Sequence, residues 1–288
     1  MRHANAHPNA LELLRPESIE AASSSLGDGS VALAGGTEVV PQLRDGILEA
    51  ERLVQLDDVV PRGIDERRIG AGTRLTELEA SGEVPAVLRE ACRLSASPQL
   101  RAMGTIGGNL LQATRCWYWR LHYPCRLHGG ERCFAREGVH REHAIFGNGF
   151  CASAHPSDPA AALLALGTTL RTNRRELPIA ELYRLPTEND RSTTTLENGE
   201  IILELEYEQP LASTYLKAMD RQSWSFALVG VAAARFESGT RIGLAGVAPI
   251  PWPLDAPAAL ERATPLPQTA YKVEIATALV RRALEAIA

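Results

Sequence analysis

No run of apolar residues in this 288-residue chain is long enough to span a bilayer. The opening stretch MRHANAHPNALELLRPES has no apolar signal core and no twin-arginine pair. Folding in the cytoplasm is therefore expected, and export alongside a signal-bearing partner would leave no trace in the chain. A basic surface is missing too. Thirty Lys and Arg against 35 Asp and Glu leave a formal net charge of −5, which removes the general case for nucleic acid. There is no internal repeat and no low-complexity block. No Ser–His–Asp, H-E-x-x-H or paired-carboxylate arrangement marks a catalytic centre, so no catalytic residue is expected. Neither G-x-G-x-x-G nor G-x-x-x-x-G-K-[ST] occurs where a nicotinamide or ATP site would need it. The five cysteines are odd in number and accompany no secretion signal, which argues against a disulfide framework.

What is present is an ordinary soluble balance, 45% hydrophobic and 23% charged, in a chain long enough for two or three domains. RPESIEAASSSL predicts a helix after Pro16, SVALAGG a short buried strand, EVVPQLRDG a helix and RLVQL a second strand. This rhythm suggests a small N-terminal α/β unit ending near Asp57. From about Arg67, RIGAGTRL reads as strand and turn, and TELEAS and VPAVLREACRLSA as helices. HAIFG reads as a strand, and Ser157 as the N-cap of PAAALLALG with Asp158 in its first turn. Beyond Asn173, IILELEYEQP, TYLKAM, FALVGVAAARFE and TRIGLAGVA have strand patterning, and AYKVEIATALVRRALEAIA has helical spacing. Strands followed by helices indicate an α+β fold.

Two glycine turns carry the first chemical signal. Ala34-Gly35-Gly36-Thr37-Glu38 lies between a strand and a helix. Gly104-Thr105-Ile106-Gly107-Gly108-Asn109 repeats the pattern with a hydroxyl and a carboxamide. Glycines let backbone N–H groups approach a ligand closely, and successive exposed amides suit a phosphate. Two such turns could hold a pyrophosphate from both sides. The second signal is Cys116-x8-Cys125-x7-Cys133-x17-Cys151, with His122, His128, His140, His143 and His155 nearby. Such a stretch points to metal. The short C-x2–4-C knuckles of structural zinc are absent, and four thiolates on a long loop suit an iron–sulfur cluster. Zinc and unliganded cysteines are the alternatives. Cys92, alone in a helical stretch, reads as a small buried hydrophobe.

AGGTEVVPQLRDG followed by RAMGTIGGNLLQA resembles the FAD-binding subunit of the xanthine dehydrogenase and carbon monoxide dehydrogenase family, from about Leu14 to the C-terminal helix. The resemblance implies the FAD-binding fold of the medium-subunit type, in three parts. These are an N-terminal α/β subdomain (1–57), a second α+β subdomain (58–172) with an iron–sulfur loop at about 113–152, and a C-terminal antiparallel sheet with helices (173–288). It places Leu33, Ala34, Gly35, Gly36, Thr37 and Glu38 in a first pyrophosphate loop, and Thr105, Gly108 and Asn109 in a second. Asp158 matches an aspartate that follows that loop, and Lys217 a lysine near the flavin ring. Alternatively Lys217 is a solvated strand lysine, Asp158 only a helix-cap residue, and Thr105 and Asn109 stabilise their own turn. RCWYWR, CFAREGVHREHAIFG and CASAHPSDPAAALLALG resemble a subgroup with an extra [4Fe–4S] cluster, which includes 4-hydroxybenzoyl-CoA reductase and, with closer wording, bacterial aldehyde oxidoreductases. That implies Cys116, Cys125, Cys133 and Cys151 as ligands, with Trp117, Tyr118 and Trp119 packed around the cluster. The implied complex adds a large molybdenum-cofactor subunit, a small [2Fe–2S] subunit and an external electron acceptor. A benzoyl-CoA-type reductase subunit and a non-enzymatic zinc-stabilised binding module are the rival readings.

Overall fold

A computed structural model describes residues 11–288. The first ten residues, more than half of that opening stretch, lie outside the described residues. Among the described residues, three sheets follow one another.

The first sheet has strands β1 (Glu12–Leu14), β2 (Ser30–Leu33) and β3 (Arg52–Gln55), all parallel with β3 in the middle. Parallel neighbours need crossovers, and helices α1 (Ile19–Ser25) and α2 (Val39–Arg44) supply them. Ser18 caps α1, its Oγ accepting the Ala21 N–H at 3.1 Å. The periodic signals located β2 and β3. The three-residue β1 is too short to show a period and is found only by its pairing with β3.

The second sheet orders β4 (Ile64–Asp65), β5 (Arg68–Gly70), β6 (Thr169–Thr172), β7 (Glu176–Pro178) and β8 (Ile202–Glu206) as β4-β5-β8-β6-β7. Strand β8 pairs antiparallel with both β5 and β6. The expected division after residue 172 therefore cuts through this sheet, since β7 and β8 belong with the strands before it. Helices α3 (Leu75–Ala80), α4 (Ala86–Arg93), α5 (Pro98–Met103) and α6 (Ile106–Leu110) fall between β5 and β6. So do α7 (Trp117–Arg120), which opens the cysteine segment, and α8 (Asp158–Ala165), which follows it. The second glycine turn is thus a helical turn, α6. Thr105 caps it through its Oγ, which accepts the Gly108 N–H at 3.1 Å. A short α9 (Ile179–Leu182) follows β7.

The third sheet is antiparallel, β12-β11-β10-β9, made of β9 (Ala212–Ala218), β10 (Val229–Phe236), β11 (Gly239–Ala245) and β12 (Trp252–Leu254). Alternate residues of β10 enter two different cores. Ala232 and Ala234 pack in the core that includes α8, and Val231 and Ala233 in the core of the terminal helix α10 (Tyr271–Ala286). The alanine-rich α8 lies close against the sheet. A Cβ on Gly243 would stand 2.3 Å from the Ala161 carbonyl oxygen, so only glycine fits there. HAIFG is not a strand. Ile145 and Phe146 both donate to the single carbonyl of Val247 (2.8 and 2.9 Å), and their side chains are buried. Burial in an irregular segment produced the apolar pattern, without a partner strand.

Candidate functional site: a two-loop cavity beside a cysteine cavity

Beyond β2 the chain turns sharply at Gly35 and Gly36. Gly36 has φ of +71°, which favours glycine. A Cβ on Gly35 would meet the Met103 carbonyl oxygen at 1.8 Å. The first loop is therefore pressed against the end of α5, one residue before the second loop begins. Among the described residues, no acceptor takes the N–H groups of Gly35, Gly36, Thr37 or Glu38. In the second loop Gly107 abuts Ala71, whereas a Cβ on Gly108 would meet only the Thr105 Oγ1 at 3.0 Å and would fill open space.

Both loops line one cavity of about 1010 Å³. That is the upper end of small-molecule sites, roughly 300–1,000 Å³, and suits a dinucleotide-sized ligand. Unpaired amides and the bare Gly108 face fit a pyrophosphate, as expected for FAD. Of the expected cofactor residues, Ala34 through Glu38, Thr105, Gly108, Asn109, Asp158 and Lys217 line the cavity. Leu33 does not; its carbonyl accepts the Leu56 N–H at 2.8 Å. The Asn109 Oδ1 accepts from Ser157 Oγ at 2.6 Å, so its carboxamide ties the second loop to the cap of α8.

Asp158 and Lys217 form a buried ion pair in the wall, Oδ2 to Nζ 2.8 Å, with side chains 3% and 1% exposed. Lys217 also donates to the Leu94 carbonyl (2.9 Å). Asp158 accepts from Tyr215 Oη (2.5 Å) and Ser95 Oγ (3.3 Å). Burial and the adjacent Asp158 carboxylate push the Tyr215 hydroxyl well above its usual range, so it stays a donor. Lys217 is thus not a solvated strand lysine, and Asp158 does more than begin a helix.

Glu38 meets this chain rather than standing free toward a ligand. Its Oε1 accepts from Arg120 Nη2 (2.6 Å), Gln42 Nε2 (2.7 Å) and the Ala113 N–H (3.2 Å), and its Oε2 from Arg115 Nη2 (2.5 Å). The carboxylate therefore fastens the first loop to the entrance of the cysteine segment. Glu38→Ala leaves two part-buried guanidiniums without it. A fall in unfolding free energy of about 1–3 kcal/mol is expected, between the exposed and buried limits for ion pairs. A denaturation midpoint equal to wild type would show that this contact carries no load.

Cys116, Cys125, Cys133 and Cys151 surround a second, small cavity, with Tyr118, Trp119, Phe134 and Phe150 also in its wall. A β-bridge between Cys125 and Arg132 brings Cys125 and Cys133 together. Cys116 precedes α7, and Cys151 Sγ donates to Ser153 Oγ at 3.2 Å. Burial pushes the Cys116 thiol up to about 11 and the Cys151 thiol up to about 12; neighbouring thiols add to both. Cys92 is fully buried in α4, and burial raises it further. Among the described residues no three Cys, His, Asp or Glu side chains converge as the ligand set of a single ion. The four cysteines line one small space. Trp117 lines the larger cavity, whereas Tyr118 and Trp119 line the small one. Cys116 lines both, so the two cavities share a wall. The sequence marks His143 only as one of five nearby histidines, and Arg115 and Arg120 are not singled out at all. An arginine pair at positions 115 and 120 has no local signature of its carboxylate, which lies 77 residues from the first and 82 from the second.

The family model described as "FAD binding domain in molybdopterin dehydrogenase" matches residues 9–207. The aldehyde oxidoreductase FAD-binding subunit PaoB of Escherichia coli (strain K12) is 37% identical over 250 residues, covering 79% of this chain and 78% of that protein. The carbon monoxide dehydrogenase medium chain of Afipia carboxidovorans is 37% identical over 113 residues, 35% of this chain and 39% of that one. In fold, the chain is similar to carbon monoxide dehydrogenase from Hydrogenophaga pseudoflava (TM-score 0.71, 23% identity, 98% of both chains). It is also similar to quinoline 2-oxidoreductase from Pseudomonas putida 86 (TM-score 0.65, 18% identity, 96% of both chains). Two glycine loops around one dinucleotide-sized cavity, a matched family model and a relative aligned over most of its length agree: the chain belongs to the FAD-binding medium subunits of the molybdenum hydroxylase family of oxidoreductases.

Proposed function

We propose that this chain is the FAD- and [4Fe–4S]-binding electron-transfer subunit of a heterotrimeric molybdenum-containing aldehyde oxidoreductase. A large subunit with the molybdenum cofactor would oxidise the substrate, and a small subunit would carry two [2Fe–2S] clusters. This chain would pass the electrons to an external acceptor. The observation that carries the reading is the convergence of both glycine loops, with their free amides, on one cavity. The similarity to the aldehyde oxidoreductase subunit favours an aldehyde among the family's substrates.

The amides of Gly35 to Glu38 and the open face at Gly108 would hold the pyrophosphate. Thr105 and Asn109 would shape the second loop, and Asp158 and Lys217 would keep the wall rigid and polar. Bound FAD supplies exchange between one-electron centres and a two-electron acceptor. The three units of the chain would be residues 1–57, a second unit extended to Glu206, where the five-stranded sheet ends, and the remainder. Among the described residues no helix is long and apolar enough to cross a membrane. The chain would fold in the cytoplasm, alone or before export with a partner.

Cys116, Cys125, Cys133 and Cys151 would hold the cluster, as in the subgroup with the aldehyde oxidoreductases and 4-hydroxybenzoyl-CoA reductase. Four cysteines lining one cavity support a cluster ligand set, and the absence of short C-x2–4-C spacing favours it over one zinc ion. Anaerobically purified protein is expected to hold non-covalent FAD and about four irons per chain. Serine at any of the four positions should lower iron and alter the reduced-state paramagnetic signal, because a hydroxyl is a poor ligand for iron–sulfur. Cys92→Ser should leave iron unchanged. Metal analysis of the five variants decides, and zinc in anaerobic wild type would defeat the cluster while leaving the flavin reading.

A further inference from the structure

We infer that His143 donates a hydrogen bond from Nε2 to the Sγ of Cys116, and that this bond raises the reduction potential of a cluster held by that cysteine. The inference rests on the cluster reading above. His143 is buried, and its Nε2 lies 3.2 Å from Cys116 Sγ. The other four histidines of the segment are occupied elsewhere. His122 meets the Asp45 carbonyl (2.9 Å) and His128 the Trp119 carbonyl (2.8 Å). The Nδ1 of His140 meets the carbonyls of Ala135 and Gly138 (both 2.8 Å), and its Nε2 accepts the Gln268 N–H (3.1 Å). His155 accepts the Ser157 N–H on Nδ1 (3.4 Å).

The position of the proton follows from the chemistry of the pair. A ligating thiolate has no hydrogen and can only accept. Nε2 must then carry the N–H, which leaves Nδ1 bare, and Nδ1 has no hydrogen-bond partner among the described residues. Trp117 holds the ring edge-on, with centroids 4.8 Å apart and planes at 78°. Reduction adds negative charge that spreads onto the ligand sulfurs. A donor aimed at one of them stabilises the reduced form, so the potential rises. Location makes this bond matter for electron flow. His143 and Cys116 both line the larger cavity, and Cys116 alone of the four cysteines lines both cavities. His143 is therefore a positioning residue at the junction between cysteine site and flavin site.

The test compares anaerobically prepared wild-type protein with His143→Phe, His143→Leu and His143→Gln. Iron content, FAD content and the midpoint of the cluster's paramagnetic signal in a redox titration are read for each. The two donor-free variants are expected to keep iron and FAD and to titrate at a lower potential. His143→Gln, which restores an N–H, should move back toward wild type. If one donor-free variant loses iron, the other decides. An iron-replete donor-free variant with the wild-type midpoint overturns the inference and leaves the cluster reading standing, and loss of iron in both assigns His143 a purely structural part and overturns it too. Wild-type protein without iron overturns both the inference and the cluster.

Discussion

Gly35→Val is expected to lower flavin retention strongly while the chain remains folded. Any Cβ at this position would stand 1.8 Å from the Met103 carbonyl oxygen and 2.8 Å from Arg74 Nη1. Arg74 itself donates to that carbonyl and pairs with Asp57 at 3.0 Å, so the neighbours cannot yield cheaply. The loop must move instead, and it would carry the free amides of Gly36, Thr37 and Glu38 away from the second loop. Overpacking costs about 1–3 kcal/mol. The clash is relieved when the loop moves off its flavin-binding position, so restoring that position on binding costs the upper end of this range, about 100-fold in affinity. Gly82→Val is the matched control, since nothing lies within 4 Å of its Cβ position. The flavin-to-protein absorbance ratio, read with circular dichroism to confirm folding, gives the answer. Full FAD occupancy in Gly35→Val would remove the pyrophosphate role from this loop.

The second large effect is on stability. Lys217→Met leaves the Asp158 carboxylate buried with only hydroxyl donors, Tyr215 and Ser95. Breaking a buried pair by deleting one partner costs about 3–5 kcal/mol, because the remaining charge is desolvated without compensation. Removing both charges costs less, so Lys217→Met with Asp158→Asn should recover part of the loss. Urea unfolding of the two single variants and the double variant forms a mutant cycle, and a strong coupling energy is expected. Additive effects would mean that the two charges are independent, contrary to their 2.8 Å separation. Flavin content should fall in the single variants as well, since the pair forms part of the cavity wall.

Elements with a local cause were legible. The amphipathic repeat of α10, the apolar strand runs of β10 and β11 and the Ser157 cap of α8, which accepts the Ala160 N–H at 3.0 Å, each follow from neighbouring residues. Elements that depend on distant partners were not. Strand β1 exists because β3 lies beside it; β8 was legible as a strand, but not its place in the second sheet between β5 and β6. HAIFG had strand-like composition but found one carbonyl at Val247 instead of a ladder. Burial explains both kinds of error, since an apolar run records that it is covered and not what covers it.

By itself the sequence determined the parts of the site: two glycine loops able to bare their amides, four clustered thiols and a fifth set apart, because glycine's freedom and sulfur's chemistry belong to the residue. Tertiary structure decided how the parts meet. It placed Gly35 against Met103, joined Glu38 to Arg115 and Arg120, buried Lys217 on Asp158, and set Cys116 between two cavities with His143 against its sulfur. Those relations span tens of residues. They arise when separate elements are packed into a shared core, and no local period or propensity encodes a contact made across that distance.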